Sequence, residues 1–414
     1  VCPRRLTHRP FPIVHGDSGS FCNDLILNSF PFPRNGSARC FPVAIRETEG
    51  RPTATAGECG SGFRRRPYRW KRPQNSSLLA NHSQLHILVV MTMVSRRSMI
   101  RLALAGIAAP ALVTRAAAVP ATVSVVTTTS MITDLVAVAG GADVTVKGLM
   151  GTGVDPHTFR QTRSDIAAMV RADAVVWHGL YLEAQLEDFL GRLAEKRTVV
   201  PLAERTIPPD RLIAHPHYTD RYDPHVWMDP SLWRLAAVGA GEVLAGLRPE
   251  ASDGFLERAV THAREIDAIG DYAKDVLSTV PAERRVLISA HDAFGYFGRA
   301  YGFEVLGIQG LSTESEAGLA RIEELVDVLV SRRIPAIFVE TSVSDRNVQA
   351  LVEGAAARGH AVVIGGRLYS DSMGQPGTYE GTYVGMIDHN VTTIARALGG
   401  SAPAAGALGR LAMN

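Results

Sequence analysis

From Thr122 onward, short runs of apolar, largely β-branched residues alternate with helix-length amphipathic stretches. The spacing predicts strands at residues 123–127, 144–148, 174–177, 198–201, 286–290, 305–308, 336–340 and 361–365. Each run is nearly continuously apolar, the pattern of parallel strands covered by helices on both faces. One helical stretch is longer than the others. Over residues 249–278, apolar side chains recur at Phe255, Leu256, Ala259, Ala263, Ile266, Ala273, Val276 and Leu277, a single helical stripe running roughly 40 Å at 1.5 Å per residue. Four predicted strands precede it and four follow. The expected fold is therefore α/β, with two lobes, each a mainly parallel sheet flanked by helices, joined by one long rigid helix and separated by a cleft.

The first ninety residues break the pattern. They show neither period, and Arg, Pro, Ser and Asn recur without order, as in Arg64-Arg65-Arg66-Pro67; such composition does not bury a core. Residues 1–90 are expected to be a disordered extension or mis-assigned upstream sequence. The rival reading, a nucleic-acid-binding arm, has only the arginines in its favour. Residues 91–118 then run from Ser95-Arg96-Arg97-Ser98 through an apolar stretch to Arg115-Ala116-Ala117-Ala118, the order of a signal peptide. The paired arginines look like a twin-arginine signal. The mature protein is expected to begin near Val119 and to be soluble and periplasmic. It would consist of a first lobe over 119–248, a linking helix over 249–280 and a second lobe over 281–414.

Charge and cysteine content sharpen this division. The near-neutral net charge of +2 conceals 17 Lys/Arg against 5 Asp/Glu in residues 1–118; the rest of the chain carries 26 against 36. An acidic globular part makes nucleic acid an unsuitable partner. All four cysteines (Cys2, Cys22, Cys40 and Cys59) precede the globular part, which excludes disulfides and thiolate metal sites there.

Candidate chemistry falls in loops beyond predicted strands, where open parallel sheets bind ligands. His157 lies in Asp155-Pro156-His157 and His225 in Asp223-Pro224-His225; His291 directly follows residues 286–290, and Asp371 follows residues 361–365. Proline fixes its own φ and holds the preceding residue extended, so each Asp-Pro-His histidine leaves a stiff turn. Among 13 histidines, however, such spacing also arises by chance, and any one of these histidines alone is more often a surface or capping residue than a ligand. A zinc-dependent hydrolase using the same ligands is the alternative to a binding protein. It would need an open coordination position and a general base, and no His-Glu-x-x-His helix or nucleophile elbow is present.

Several longer motifs carry a resemblance. Val154-Asp155-Pro156-His157, Asp223-Pro224-His225-Val226-Trp227, the run from Ala290 to Phe297, Phe338-Val339-Glu340-Thr341-Ser342 and Gly381-Thr382-Tyr383-Val384-Gly385-Met386 are similar to those of the zinc/manganese-binding receptors of ABC importers. This is the TroA/ZnuA/PsaA family, and the fit is to its TroA branch over residues 122–397. The resemblance implies a non-enzymatic, monomeric receptor that takes Zn2+ or Mn2+ in the interlobe cleft and passes it to the membrane permease of an ABC importer. It implies metal ligation by His157 and His225 from the first lobe and by His291 and Asp371 from the second. Manganese-selective relatives often have glutamate where this chain has His291, and zinc-selective relatives often carry a histidine-rich loop, reduced here to His215-Pro216-His217. The chain thus departs from both patterns. His215 and His217 are read as a solvated loop, His178 and His389 as non-ligands, Asp155 and Asp223 as turn caps, and Glu340 as an acid that accepts backbone donors. Affinity is expected to fall as pH drops through about 6.5, where histidine protonates.

Overall fold

A computed structural model describes residues 122–412; the extension and signal peptide expected over residues 1–118 lie outside the described residues. The first four strands, β1 (Val123–Thr127), β2 (Val144–Gly148), β3 (Ala174–Trp177) and β4 (Thr198–Pro201), form one sheet in the order β2-β1-β3-β4. All of its pairings are parallel, with Val125 opposite Val146 on one side and Ala174 on the other. The crossovers are α1 (Ser130–Gly140), α2 (Arg163–Arg171) and α3 (Glu187–Ala194), and α4 (Leu202–Thr206) follows β4. Local chemistry sets the helix starts. Thr129 caps α1 by accepting from the Ile132 amide, and Thr162 with Asp165 forms a reciprocal capping box on α2, satisfying amides that a helix leaves unpaired.

Helix α5 (Pro230–Leu247) leads through a single 3-10 turn, Pro249–Ala251, into α6 (Ser252–Ser278). Helix α6 has 27 residues, about 40 Å at 1.5 Å per residue. Its expected stripe is buried, with Phe255, Ala259, Ala263, Ile266, Ala273, Val276 and Leu277 all in the core. Leu256 is the exception and is only half-buried. The main core cluster runs continuously from Val125 and Leu135, through Phe255 and Ile266 of α6, to Phe294, Tyr383 and Ile394. A close-packed core resists deformation, so this continuity makes α6 a stiff spine.

The second lobe holds β5 (Val286–Ser289), β6 (Glu304–Gly307), β7 (Ala336–Glu340) and β8 (Val363–Leu368), with α7 (Gly295–Tyr301), α8 (Leu319–Arg332), α9 (Arg346–Ala357) and α10 (Tyr383–Ala397). Its pairings are parallel but divided: β5 with β6, and β7 with β8, with β5 beside β7. Strand β8 differs most from expectation, which ended it at residue 365. It continues to Leu368 because the register slips between Ile337 and Phe338 and Gly366 takes φ 152°, which L side chains rarely adopt. A Cβ at Gly366 would also lie 2.4 Å from the Thr393 methyl. No helix among the described residues is long and apolar enough to cross a membrane.

Candidate metal centre

His157 and His225 leave the same kind of turn. In each Asp-Pro-His the aspartate Oδ1 accepts the histidine amide at 2.9 Å, an Asx-type closure that proline stiffens. The two carboxylates then diverge. Asp223 Oδ1 also accepts from His225 Nδ1 at 2.7 Å, whereas Asp155 Oδ2 turns outward to the Thr158 and Thr313 hydroxyls. Tyr296 clamps the second turn, donating to the Asp223 carbonyl and accepting the Ile213 amide, each at 2.9 Å.

His291 follows β5 after Ala290. Glu340, at the end of β7, takes the His291 amide on Oε1 at 2.9 Å and the ring Nδ1 on Oε2 at 2.5 Å. Asp371 is aimed by a second-lobe segment that is fastened across to the first lobe. Trp227 Nε1 donates to the Ser370 carbonyl at 2.8 Å, the Gly153 amide donates to Ser372 Oγ at 2.9 Å, and the Met373 amide donates to Ser130 Oγ at 3.0 Å.

The four side chains converge and are buried, with one ligand-type atom from each lying within 4.8 Å of the others. His157 Nε2 is 3.3 Å from His225 Nε2 and 3.8 Å from Asp371 Oδ2; His225 Nε2 is 3.5 Å from Asp371 Oδ1, and His291 Nε2 is 3.1 Å from Asp371 Oδ2. A tetrahedron with zinc–ligand distances of 2.0–2.1 Å has edges of about 3.3 Å, and these four separations bracket that value, so the donors are close enough to share one ion. The tautomers fit as well. A carboxylate only accepts, so His225 and His291 carry hydrogen on Nδ1 and direct Nε2 inward. Both Asp371 oxygens and His291 Nε2 are buried without a well-directed hydrogen bond. Such groups are costly to leave unpaired, and a cation at the centre would satisfy all three.

Burial pulls the His157 pKa down to about 3, outweighing the nearby Asp371 charge. Burial also opposes a charge on His291, but Asp371 and Glu340 together raise it well above the ordinary histidine value. Burial disfavours the Asp371 anion too, yet His291 and the other two histidines hold its carboxyl far below the usual range.

The remaining residues are distributed differently. His215 and His217 occupy an exposed loop with ring centroids 6.1 Å apart and do not reach the cluster. His389 Nε2 donates to the Arg367 carbonyl at 2.9 Å. His178 is fully buried, donates from Nε2 to the Pro224 carbonyl at 2.7 Å and meets Trp227 edge-on. It is not a member of the cluster but props the second Asp-Pro-His turn, and burial lowers its pKa to about 3. The sequence offered no sign of its support, Glu183. Burial raises that acid to about 7, and it accepts from the Thr128 hydroxyl at 2.6 Å and the His178 amide at 2.9 Å. The grip of Glu340 on the His291 ring was also not foreseen, since only the neighbouring of β5 and β7 brings the two together.

Two parallel α/β lobes on one rigid helix, with a donor cluster drawn from both, define a solute-binding protein of the helix-linked type. Residues 125–397 match the family model described as zinc-uptake complex component A, periplasmic (ZnuA), and the chain belongs to that family. It is 45% identical over 274 residues to the zinc-binding protein TroA of Treponema pallidum, covering 66% of this chain and 88% of the relative. It is 43% identical over 274 residues to the manganese-binding lipoprotein MntA of Bacillus subtilis, covering 66% and 89%. The solved structure of the periplasmic zinc-binding protein TroA from Treponema pallidum superposes with a TM-score of 0.65 at 44% identity, covering 67% of this chain and 99% of that one. Membership places the chain among metal-uptake receptors rather than enzymes, and the hydrolase alternative has no support.

Proposed function

We propose that the chain captures one divalent transition-metal ion, Zn2+ or Mn2+, with His157, His225, His291 and Asp371, and delivers it to the membrane permease of an ABC importer. The observation that carries this reading is the buried, converging set of three imidazoles and a carboxylate, with three of its atoms otherwise unpaired. Two donors come from each lobe, so a bound ion bridges the lobes, and the permease releases it by drawing them apart. Raw affinity favours zinc over manganese for such a donor set. Asp371 faces the cluster with both oxygens, and bidentate ligation would raise the coordination number and accommodate manganese.

The same proposal takes the protein as a periplasmic monomer exported by a twin-arginine signal at Arg96-Arg97. It comprises a first lobe over residues 119–248, a linking helix over 249–280 and a second lobe over 281–414. Elemental analysis of protein recovered from its own export compartment tests the reading. One Zn or Mn per chain is expected, with the ion absent from folded His157→Ala and Asp371→Ala variants. Variants that retain the full metal content would contradict the assignment.

A further inference from the structure

His157 differs from the other two histidines in how it is held. The His225 and His291 rings are fully buried, and each has a carboxylate on Nδ1. Among the described residues, no side chain or carbonyl holds His157 Nδ1. His157 also lines a cavity of about 460 Å³ that reaches Tyr181, His215, Arg221 and Glu314, and none of the other three cluster residues lines it. Rigid second partners keep a metal-bound imidazole in place. The ring without one, facing a cavity, is the ligand that can move at least cost.

The turn carrying this ring is fastened from across the cleft. The second-lobe loop between β6 and α8 sends Thr313 Oγ1 to Asp155 Oδ2 at 2.5 Å, and its neighbour Glu314 Oε1 accepts from Gln185 Nε2 at 2.5 Å. Leu311, Ser312 and Ser315 of that loop form the second-lobe wall of the same cavity. Resting on the metal-binding reading above, we propose that in the free receptor, before any permease draws the lobes apart, metal exchanges through this vestibule by displacement of His157. The Thr313–Asp155 and Glu314–Gln185 hydrogen bonds form a latch that sets the exchange rate. Asp155 is the residue through which the latch acts: one oxygen fixes the His157 amide while the other is gripped by the opposite lobe. Thr313 is accordingly a positioning residue. It does not touch the ion but holds the turn that presents His157.

Release of Zn2+ into an excess of a chromogenic chelator, followed by stopped flow, tests the latch. Thr313→Val keeps the shape and removes the hydroxyl. A hydrogen bond to a carboxylate is worth about tenfold in an equilibrium or rate, so release should quicken about tenfold, and further when Gln185→Ala is added. Thr152→Val is the matched control. It removes another interlobe bond, Thr152 Oγ1 to the Gly374 carbonyl at 3.0 Å, away from the vestibule, and should change release less than about twofold. Equal acceleration by Thr152→Val and Thr313→Val would mean that release follows opening of whole lobes, overturning the proposal, as would no acceleration in either. Zinc stoichiometry of the unmodified protein, titrated in the same buffer, reports separately on the binding reading. Matched melting temperatures of the zinc-free variants exclude a folding defect.

Discussion

Replacing Glu340 by Gln probes how the protein tunes its metal ligands. Glu340 accepts the His291 Nδ1 hydrogen at 2.5 Å with both groups fully buried, so its charge acts in two opposed ways. In the loaded site it increases the basicity of His291 and fixes its tautomer, and loss of such a partner costs about 10- to 100-fold in affinity. In the empty site it joins Asp371 in raising the His291 pKa well above the usual value, so an incoming ion must first expel a proton. That competition costs about 1.4 kcal/mol for each pH unit below the His291 pKa. Well above that pKa no proton competes, and the variant should show the whole 10- to 100-fold loss. As pH falls through neutrality the unmodified protein is penalised more than the variant, and the gap narrows. At pH 7 the unmodified protein should release about one proton per ion, and Glu340→Gln measurably less. Calorimetric titration in two buffers of different ionisation enthalpy gives affinity and proton release together. A ratio of affinities independent of pH, with unchanged proton release, would refute the reasoning.

The same groups predict how stability depends on pH in the metal-free protein. The raised His291 pKa contributes stability that is complete below about 6.5, the unfolded value, and is lost as pH rises through the folded value. The lowered His157 pKa of about 3 acts oppositely, costing stability as pH falls below about 6.5; His291→Gln should therefore remove the loss on the alkaline side in thermal melts. Tyr383 is fully buried and donates to the Trp227 carbonyl at 2.7 Å, so Tyr383→Phe should lower stability by about 1–3 kcal/mol in denaturant titrations. Gly385→Ala should prevent folding, because the added Cβ would lie 1.8 Å from the Tyr379 carbonyl oxygen; soluble, normally melting protein would count against this. Metal at about 100 times its Kd should stabilise the protein by about 2.7 kcal/mol, an increment that a chelator should abolish.

The first lobe was legible in the sequence because its strands are what their pattern says. Val125, Val126, Val175 and Val176 are buried between helices, as short, β-branched apolar runs are in parallel sheets covered on both faces. Strand β8 was harder to delimit. It carries Gly365-Gly366-Arg367, which reads as a turn, and it begins with the exposed Val363 and Ile364; its pairing depends on a register slip against β7 that no local pattern encodes. The division of the second sheet into two pairs was hidden too, because strand pairing across the chain leaves no local pattern.

Within the site, the stiff Asp-Pro-His turns and the residues after β5 and β8 could be picked out along the chain, and the resemblance set them side by side. The histidine pH expectation of about 6.5 assumed ordinary side chains. Burial moves the His157 pKa one way and two carboxylates move that of His291 the other, so these two imidazoles are not equivalent. The supports were invisible for a topological reason. Glu340 and His291 are 49 positions apart and Thr313 and Asp155 are 158 apart, and pairing at such separations is a property of the folded chain alone.

Anomalous diffraction from crystals grown with Zn2+ or Mn2+ examines the central claim most directly. One peak is expected, about 2.0–2.2 Å from the inward nitrogens of His157, His225 and His291 and from at least one Asp371 oxygen for zinc. A peak bound at His215 and His217, or anywhere that leaves these four side chains without a shared ion, would contradict it.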